Sequence, residues 1–238
     1  MHGMVLALHV AVGAVALLGF WTAALAPKGR PLHRLAGRIY LWAMGGILLT
    51  AVPLALSYFG RGQPLLGVFF LYLEVLVGTS VVVGPRAVRL KQDFAAYTRG
   101  IYPMLAWTQL GSGLAVAAIG LWAGQVLLTV FGLVGVGRSV QMLLQRRAAS
   151  PAPGWWLREH FTAMIANGIA THIAFLGIGL MRILPADLAA RVADLNVAWF
   201  APLTVGVTAI VWLRVRHQRR FARRRSAATQ VSTVSASS

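Results

Sequence analysis

Four histidines sit where imidazole chemistry could operate inside an apolar chain: His9, His33, His160 and His172. His33 and His160 both fall where an apolar run leaves its basic flank. His9 lies about 9 Å below the opposite edge of the first run, at about 1.5 Å per residue. His172 follows His160 by twelve residues, or about 18 Å, which in an apolar core of about 30 Å leaves it roughly 12 Å from that same opposite edge. The four therefore form two pairs by depth, His9 with His172 and His33 with His160. Two imidazoles from different helices at one level are the ligand set of a b-type haem, and two levels suggest two haems stacked across a bilayer. Arg34 and Arg38 stand beside His33, where propionates would lie. Against this, twelve residues turn His160 and His172 about 120° apart around a helix, and equal depth says nothing about lateral distance. A metal or proton site drawn from the same histidines is the other chemical reading. The unreactive one has His33 and His160 beside headgroups and His9 and His172 hydrogen-bonded within a bundle.

A second group is Glu74, Arg138, Asn167 and Thr171. Measured from the ends of their runs, Glu74 is about 14 Å deep and Arg138 about 20 Å deep. A lone charge at such depth costs at least ~2.5 kcal/mol, so the spacing predicts that the two pair or line a wet cavity. The pair is either a structural ion pair or a gate, completed by Asn167 and Thr171, that handles an ion, a proton or a small molecule. His160, Met164, Asn167, Gly168, Thr171 and Phe175 recur at the helical period and predict one interior-facing stripe.

The elements that must position these groups are apolar runs of membrane-crossing length. Of 238 residues 58% are hydrophobic and 11% charged, against roughly a quarter charged in a soluble domain. The pattern predicts an all-α polytopic transmembrane bundle of seven spans, near 3–26, 35–58, 65–84, 102–122, 125–145, 160–184 and 195–215. Together they form one helical domain over 1–225, followed by a small, polar, disordered tail at 226–238. Pro53 is a predicted kink, and residues 85–100 read as a short amphipathic helix lying among headgroups. Gly132, Gly135 and Gly137 permit close helix contact in the fifth span. The start MHGMV carries no Lys or Arg, so the first span reads as retained and not as a cleaved signal. Trp21, Tyr58, Tyr102, Trp122, Trp199 and Trp212 fit an interfacial aromatic belt.

Charge sets the orientation. With the N-terminus outside and the C-terminus cytoplasmic, 19 Lys and Arg fall on inner segments and three (Arg61, Arg182, Arg191) on outer ones. That asymmetry is the positive-inside pattern of a bacterial cytoplasmic membrane protein. The net charge of +17 then reflects topology and contact with anionic headgroups. Nucleic acid is not the expected partner, because no stacking motif or recognition helix accompanies the basic residues. With no cysteine, thiolate catalysis and disulfides are excluded. No nucleophile motif, phosphate loop or HExxH helix is present, so enzymatic activity is not the leading expectation. A third functional class remains: an accessory or structural membrane subunit that meets another membrane protein or a second copy of itself.

The segment Lys28-Gly29, His33-Arg34, Gly37-Arg38, Tyr40, Met44, preceded by His9, resembles an uncharacterised bacterial family of multi-span membrane proteins. So do Gly84-Pro85-Arg86-Ala87 and the pattern His160, Met164-Ile165, Ala174-Phe175. The likeness spans most of residues 5–180. It implies a domain of unknown function, singles out the same histidines and carries no activity.

Overall fold

The structure is a computed structural model that describes residues 2–194 and 196–236; the side chains at 182, 192–194 and 220–236 lie outside that description. Every element among the described residues is helical. Seven helices are long and apolar enough to cross a membrane, the make-up of a multi-pass membrane protein.

Helices α1 (His2–Leu25) and α2 (Pro31–Gly60) form a hairpin. α3 (Pro64–Arg89) packs on α2, and a one-turn helix α4 (Phe94–Thr98) leads into α5 (Ile101–Trp122). α5 and α6 (Val126–Arg147) form the second hairpin. α7 (Trp155–Ala174) packs along α3, loosens into a π-helical turn at Phe175–Gly179, and ends in a 3-10 turn at Leu180–Arg182. α8 (Ala186–Asp194) and α9 (Val197–Ala236) complete the chain, α9 lying on α7. α3 is the centre: it touches α2, α5 and α7. Short connections make successive helices antiparallel, so the segments 26–30, 90–100 and 148–154 gather at one end. That end, rich in Lys and Arg, is called the basic end below.

The exterior is apolar, as lipid requires: Trp42 is 82% exposed and Leu49 79%. What is buried is aromatic or small. Tyr72 inserts between α3 and α6 and donates to the carbonyls of Phe131 (3.1 Å) and Gly132 (3.3 Å). Two of the three glycines in the middle of α6 make that approach possible. A Cβ on Gly132 would stand 2.6 Å from the backbone nitrogen of Ala117, and one on Gly135 would collide with the Tyr72 hydroxyl; Gly137 faces open space. At the α5–α6 turn, Gly124 takes a φ of 65°, a conformation costly for any side chain.

Several boundaries differ from expectation. α3 runs through Pro85 to Arg89, and only Phe94–Thr98 forms a separate helix. That helix does not lie flat among headgroups. Tyr97 is fully buried, packing against Tyr102 and Trp155 at centroid distances of 4.9 and 4.8 Å. Arg86 donates to the carbonyls of Ala96, Tyr97 and Arg99 and ties the segment down. Tyr102 is core, not belt: its ring is buried and its hydroxyl donates to the carbonyl of Met142. Trp199 likewise packs inward on Phe69, Phe70 and Phe131. α7 starts at Trp155, five residues before His160, released by Pro151, Pro153 and the φ of 66° at Gly154. α2 is continuous through Pro53. α9 continues as helix to Ala236, across most of the segment read as a tail. Residues 237–238 and the side chains of Arg182, Asp194 and the arginines from Arg220 onward lie outside the described residues.

Candidate functional site

α7 carries the polar interior. Its buried positions include Glu159, Thr162, Ala163, Asn167, Gly168 and Thr171, which recur every three or four residues and so share a flank. Phe175, expected on the same stripe, is 43% exposed, because the stripe ends where the α-helix gives way to the π-helical turn.

At the basic end, His33 in the first turn of α2 meets His160 in the second turn of α7. Their ring centroids are 6.4 Å apart and the rings stand at 78°. His33 donates from Nδ1 to the carbonyl of Ala23 (2.9 Å), and His160 from Nδ1 to the carbonyl of Gly84 (3.3 Å). A carbonyl only accepts, so the proton of each neutral ring is on Nδ1 and the lone pair on Nε2. Neither Nε2 has a hydrogen-bond partner among the described residues. This second-sphere arrangement is the one that orients metal-binding imidazoles. A metal about 2 Å from each nitrogen would separate two ring centroids by roughly 6 Å. Among the described residues no cluster of three or more His, Cys, Asp or Glu could hold a metal ion, so the pair offers two protein ligands and no more.

His9 and His172 do not meet. His9 donates from Nδ1 to Thr50 Oγ1 on α2 (2.8 Å), whose own proton goes to the carbonyls of Gly46 and Ile47. His172 donates from Nδ1 to the carbonyl of Gly168 (2.7 Å), and its Nε2 accepts from Trp21 Nε1 (3.0 Å). Trp21 is twelve residues from His9, about 18 Å along α1. The two are not level in the folded chain: His172 comes against Phe20 and Trp21 of α1 and its neighbour Thr171 against Tyr40 and Met44 of α2, whereas His9 faces Thr50. Both nitrogens of His172 are already engaged.

The expected Glu74–Arg138 pair is replaced by another. Arg138 grips Glu159 with both arms, Nη2 to Oε2 at 2.6 Å and Nη1 to Oε1 at 3.2 Å. Tyr97 donates its hydroxyl to Glu159 Oε2 at 2.9 Å. Helix geometry explains the change: Glu74 is two residues from Tyr72, about 200° around α3, and Tyr72 faces α6. Glu74 therefore points away from Arg138, is half-buried, and has no hydrogen bond or ion pair among the described residues. Glu159 is the acid that sequence reasoning did not single out. Its signal was the four-residue register with Ala163, Asn167 and Thr171.

Farther along α7, beyond both Glu159 and His160, lies a sparser polar zone. Thr171 donates to the carbonyl of Asn167 (2.9 Å) and also contacts Tyr40 Oη (3.3 Å) and Met44 Sδ (3.6 Å). Asn167 is fully buried, yet among the described residues neither its amide oxygen nor its nitrogen has a partner, and neither does Thr79 Oγ1 on α3. Such groups are rare in native interiors and mark a missing partner or a functional compromise.

Outside the bundle interior, Lys28 donates to the carbonyls of Ala23, Ala24 and Ala26 and so closes the end of α1. Partial burial lowers its ammonium below the usual lysine range. Compared with known protein families, curated proteins and solved structures, the chain matches none.

Proposed function

We propose that this multi-pass membrane protein binds one b-type haem through His33 and His160 at its basic end. The observation that carries the reading is the pair of bare Nε2 lone pairs on rings 6.4 Å apart, each ring fixed by a backbone carbonyl. A bare divalent ion favours four or more protein ligands, whereas a b-type haem would need only the two imidazoles that His33 and His160 would supply. The two histidines sit on α2 and α7, both of which pack on α3. Met164 is the side chain to yield: its Cε crowds the Cβ direction of Gly84, and methionine adapts readily. Arg34 and Arg38, both exposed on the first turns of α2, supply cationic partners for propionates. A haem so held would supply reversible one-electron transfer.

The positive-inside count supports the orientation with N-terminus outside and the basic end cytoplasmic, in a bacterial inner membrane. The test is the visible spectrum of the full chain, purified after expression with ample haem. A Soret band that shifts on reduction is expected, lost in His33→Ala and His160→Ala and kept in His9→Ala and His172→Ala. No Soret band, or one indifferent to His33 and His160, overturns the proposal. So does stoichiometric zinc or copper without porphyrin.

A second reading rests on a different observation, the orphaned polar atoms of Asn167 and Thr79. They support a bundle that handles a proton, an ion or a small polar molecule along the α3–α7 seam. Proton or ion flux in proteoliposomes, abolished by Asn167→Leu in a folded protein, would favour it.

A further inference from the structure

We propose that the seam of α6, α7 and α9 at the basic end binds a phosphate group. The first observation is a charge imbalance. Arg138, Arg158 and Arg214 all act electrostatically on one another or on Glu159. Glu159 is the one acid in the group, and it is already saturated by both arms of Arg138 and the hydroxyl of Tyr97. Arg214 finds only neutral partners, Gln141 Oε1 at 3.1 Å and Thr162 Oγ1 at 3.2 Å, both through Nη2. Its Nε is buried with no hydrogen-bond partner. Arg158 has no ion pair among the described residues. A partly buried guanidinium without a counter-charge is unfavourable. Two of them in one seam call for an anion.

The second observation is space. A cavity of about 250 Å³ opens beside this cluster, lined by Ala152, Pro153, Arg158, His217 and Gln218. His217 and Gln218 lie three and four residues beyond Arg214, so they share its face of α9. Arg158 and Thr162 share a face of α7 for the same reason. The volume is several times the roughly 30 Å³ of one water and below the 300–1,000 Å³ typical of drug-sized ligands. It suits a compact polyoxyanion. Of those, phosphate matches best: the planar fork of Arg158, in the cavity wall, fits its oxygens, and Arg214, one turn before His217 and Gln218 on α9, adds a second positive charge behind that wall for a group of charge near −2.

The site lies where the apolar run of α9 gives way to Arg214, Arg216, His217, Gln218 and Arg219. A phosphate group there comes either from an anionic lipid headgroup or from a soluble phosphate compound. Two arms tell the sources apart. In the first, the full chain in detergent is titrated with phosphatidylglycerol or with zwitterionic phosphatidylcholine, and bound lipid is counted by native mass spectrometry. In the second, thermal unfolding is followed against inorganic phosphate and pyrophosphate, with chloride at equal ionic strength. Selective retention of the anionic lipid, or phosphate-specific stabilisation, is expected. Either should weaken at least about tenfold in Arg158→Gln and in Gln218→Glu, which sets a carboxylate in the cavity wall. Both variants change residues at the cavity rim, so they keep the test sharp even where Arg214→Gln fails to fold. Equal binding by wild type and both rim variants, or no anion preference in either arm, overturns the proposal.

Discussion

Arg138 and Glu159 form a two-armed ion pair between α6 and α7, at 2.6 and 3.2 Å, inside the bundle. Removing one partner of such a pair strands the other in a low-dielectric interior. Glu159→Gln and Arg138→Gln should each destabilise the protein by about 3–5 kcal/mol. The double replacement Arg138→Met with Glu159→Leu should cost less than the sum of the two single changes. Reversible unfolding in mixed micelles measures this, and strict additivity would dissolve the pair as an energetic unit.

Tyr97 belongs to the same unit although it sits on a one-turn helix outside the main spans. Tyr97→Phe keeps the packing against Trp155 and removes only the hydroxyl that reaches Glu159. A hydrogen bond to a charged group is worth about 1.5–3 kcal/mol. The expected loss is of that size, and in Glu159→Gln, whose amide oxygen is a neutral acceptor, it should shrink to about 0.5–1.5 kcal/mol. A full-sized loss in both backgrounds would mean that the tyrosine acts elsewhere.

Glu74 is the contrasting case. With no partner among the described residues, its carboxylate contributes no pair to lose, and Glu74→Gln should change stability by less than about 1 kcal/mol or raise it. The comparison with Glu159→Gln in one assay decides between the two assignments. A large loss at Glu74 would restore the pairing that depth alone suggested.

How far the sequence reaches is visible in these two acids. Span number follows from run length, because a bilayer demands an apolar stretch of about twenty residues and the chain supplies seven. The level of a residue follows too, since rise per residue is fixed, and His33 and His160 do come together. Azimuth is what depth leaves out. Glu74 and Arg138 are close in depth but face different ways, because Tyr72 fixes the rotation of α3. Level itself is less secure deeper in the bundle: His172 comes against Trp21, while His9 lies twelve residues away on α1 against Thr50. Burial of Tyr97 was hidden for another reason. The charged residues around it suggest a surface helix, and only the tie from Arg86 to three carbonyls turns that segment inward.

Glycine spacing in α6 gives a position-by-position forecast. Gly132→Ala sets a methyl 2.6 Å from backbone nitrogen and 2.8 Å from the carbonyl oxygen of Gly113, neither of which can swing away. Overpacking of that kind costs about 1–3 kcal/mol. Gly135→Ala forces Tyr72 out of its seat and should cost as much. Gly137→Ala meets nothing within 4 Å and should be neutral or stabilising, since alanine favours helix. Three melting curves suffice, and equal effects at all three positions would mean that the α5–α6 contact is looser than described.

Asn167 sets stability against function most directly. It is fully buried on α7, and among the described residues neither side-chain polar atom has a partner. Leaving such groups unsatisfied costs about 1–3 kcal/mol, so Asn167→Leu, close in size and unable to hydrogen-bond, should stabilise the bundle by an amount of that order. Thr171 keeps its own bond to the Asn167 backbone carbonyl in the variant, so the change is confined to one amide. A gain in unfolding free energy, read by the same micelle assay, identifies the asparagine as a residue kept at the expense of stability. Loss of stability instead would mean that the amide already has a partner, such as a bound water or ion. In that case exchange of the seam for leucine should also release whatever is held there, and the haem spectrum governed by His33 and His160 should remain, since those rings are tied to Ala23 and Gly84 and not to Asn167.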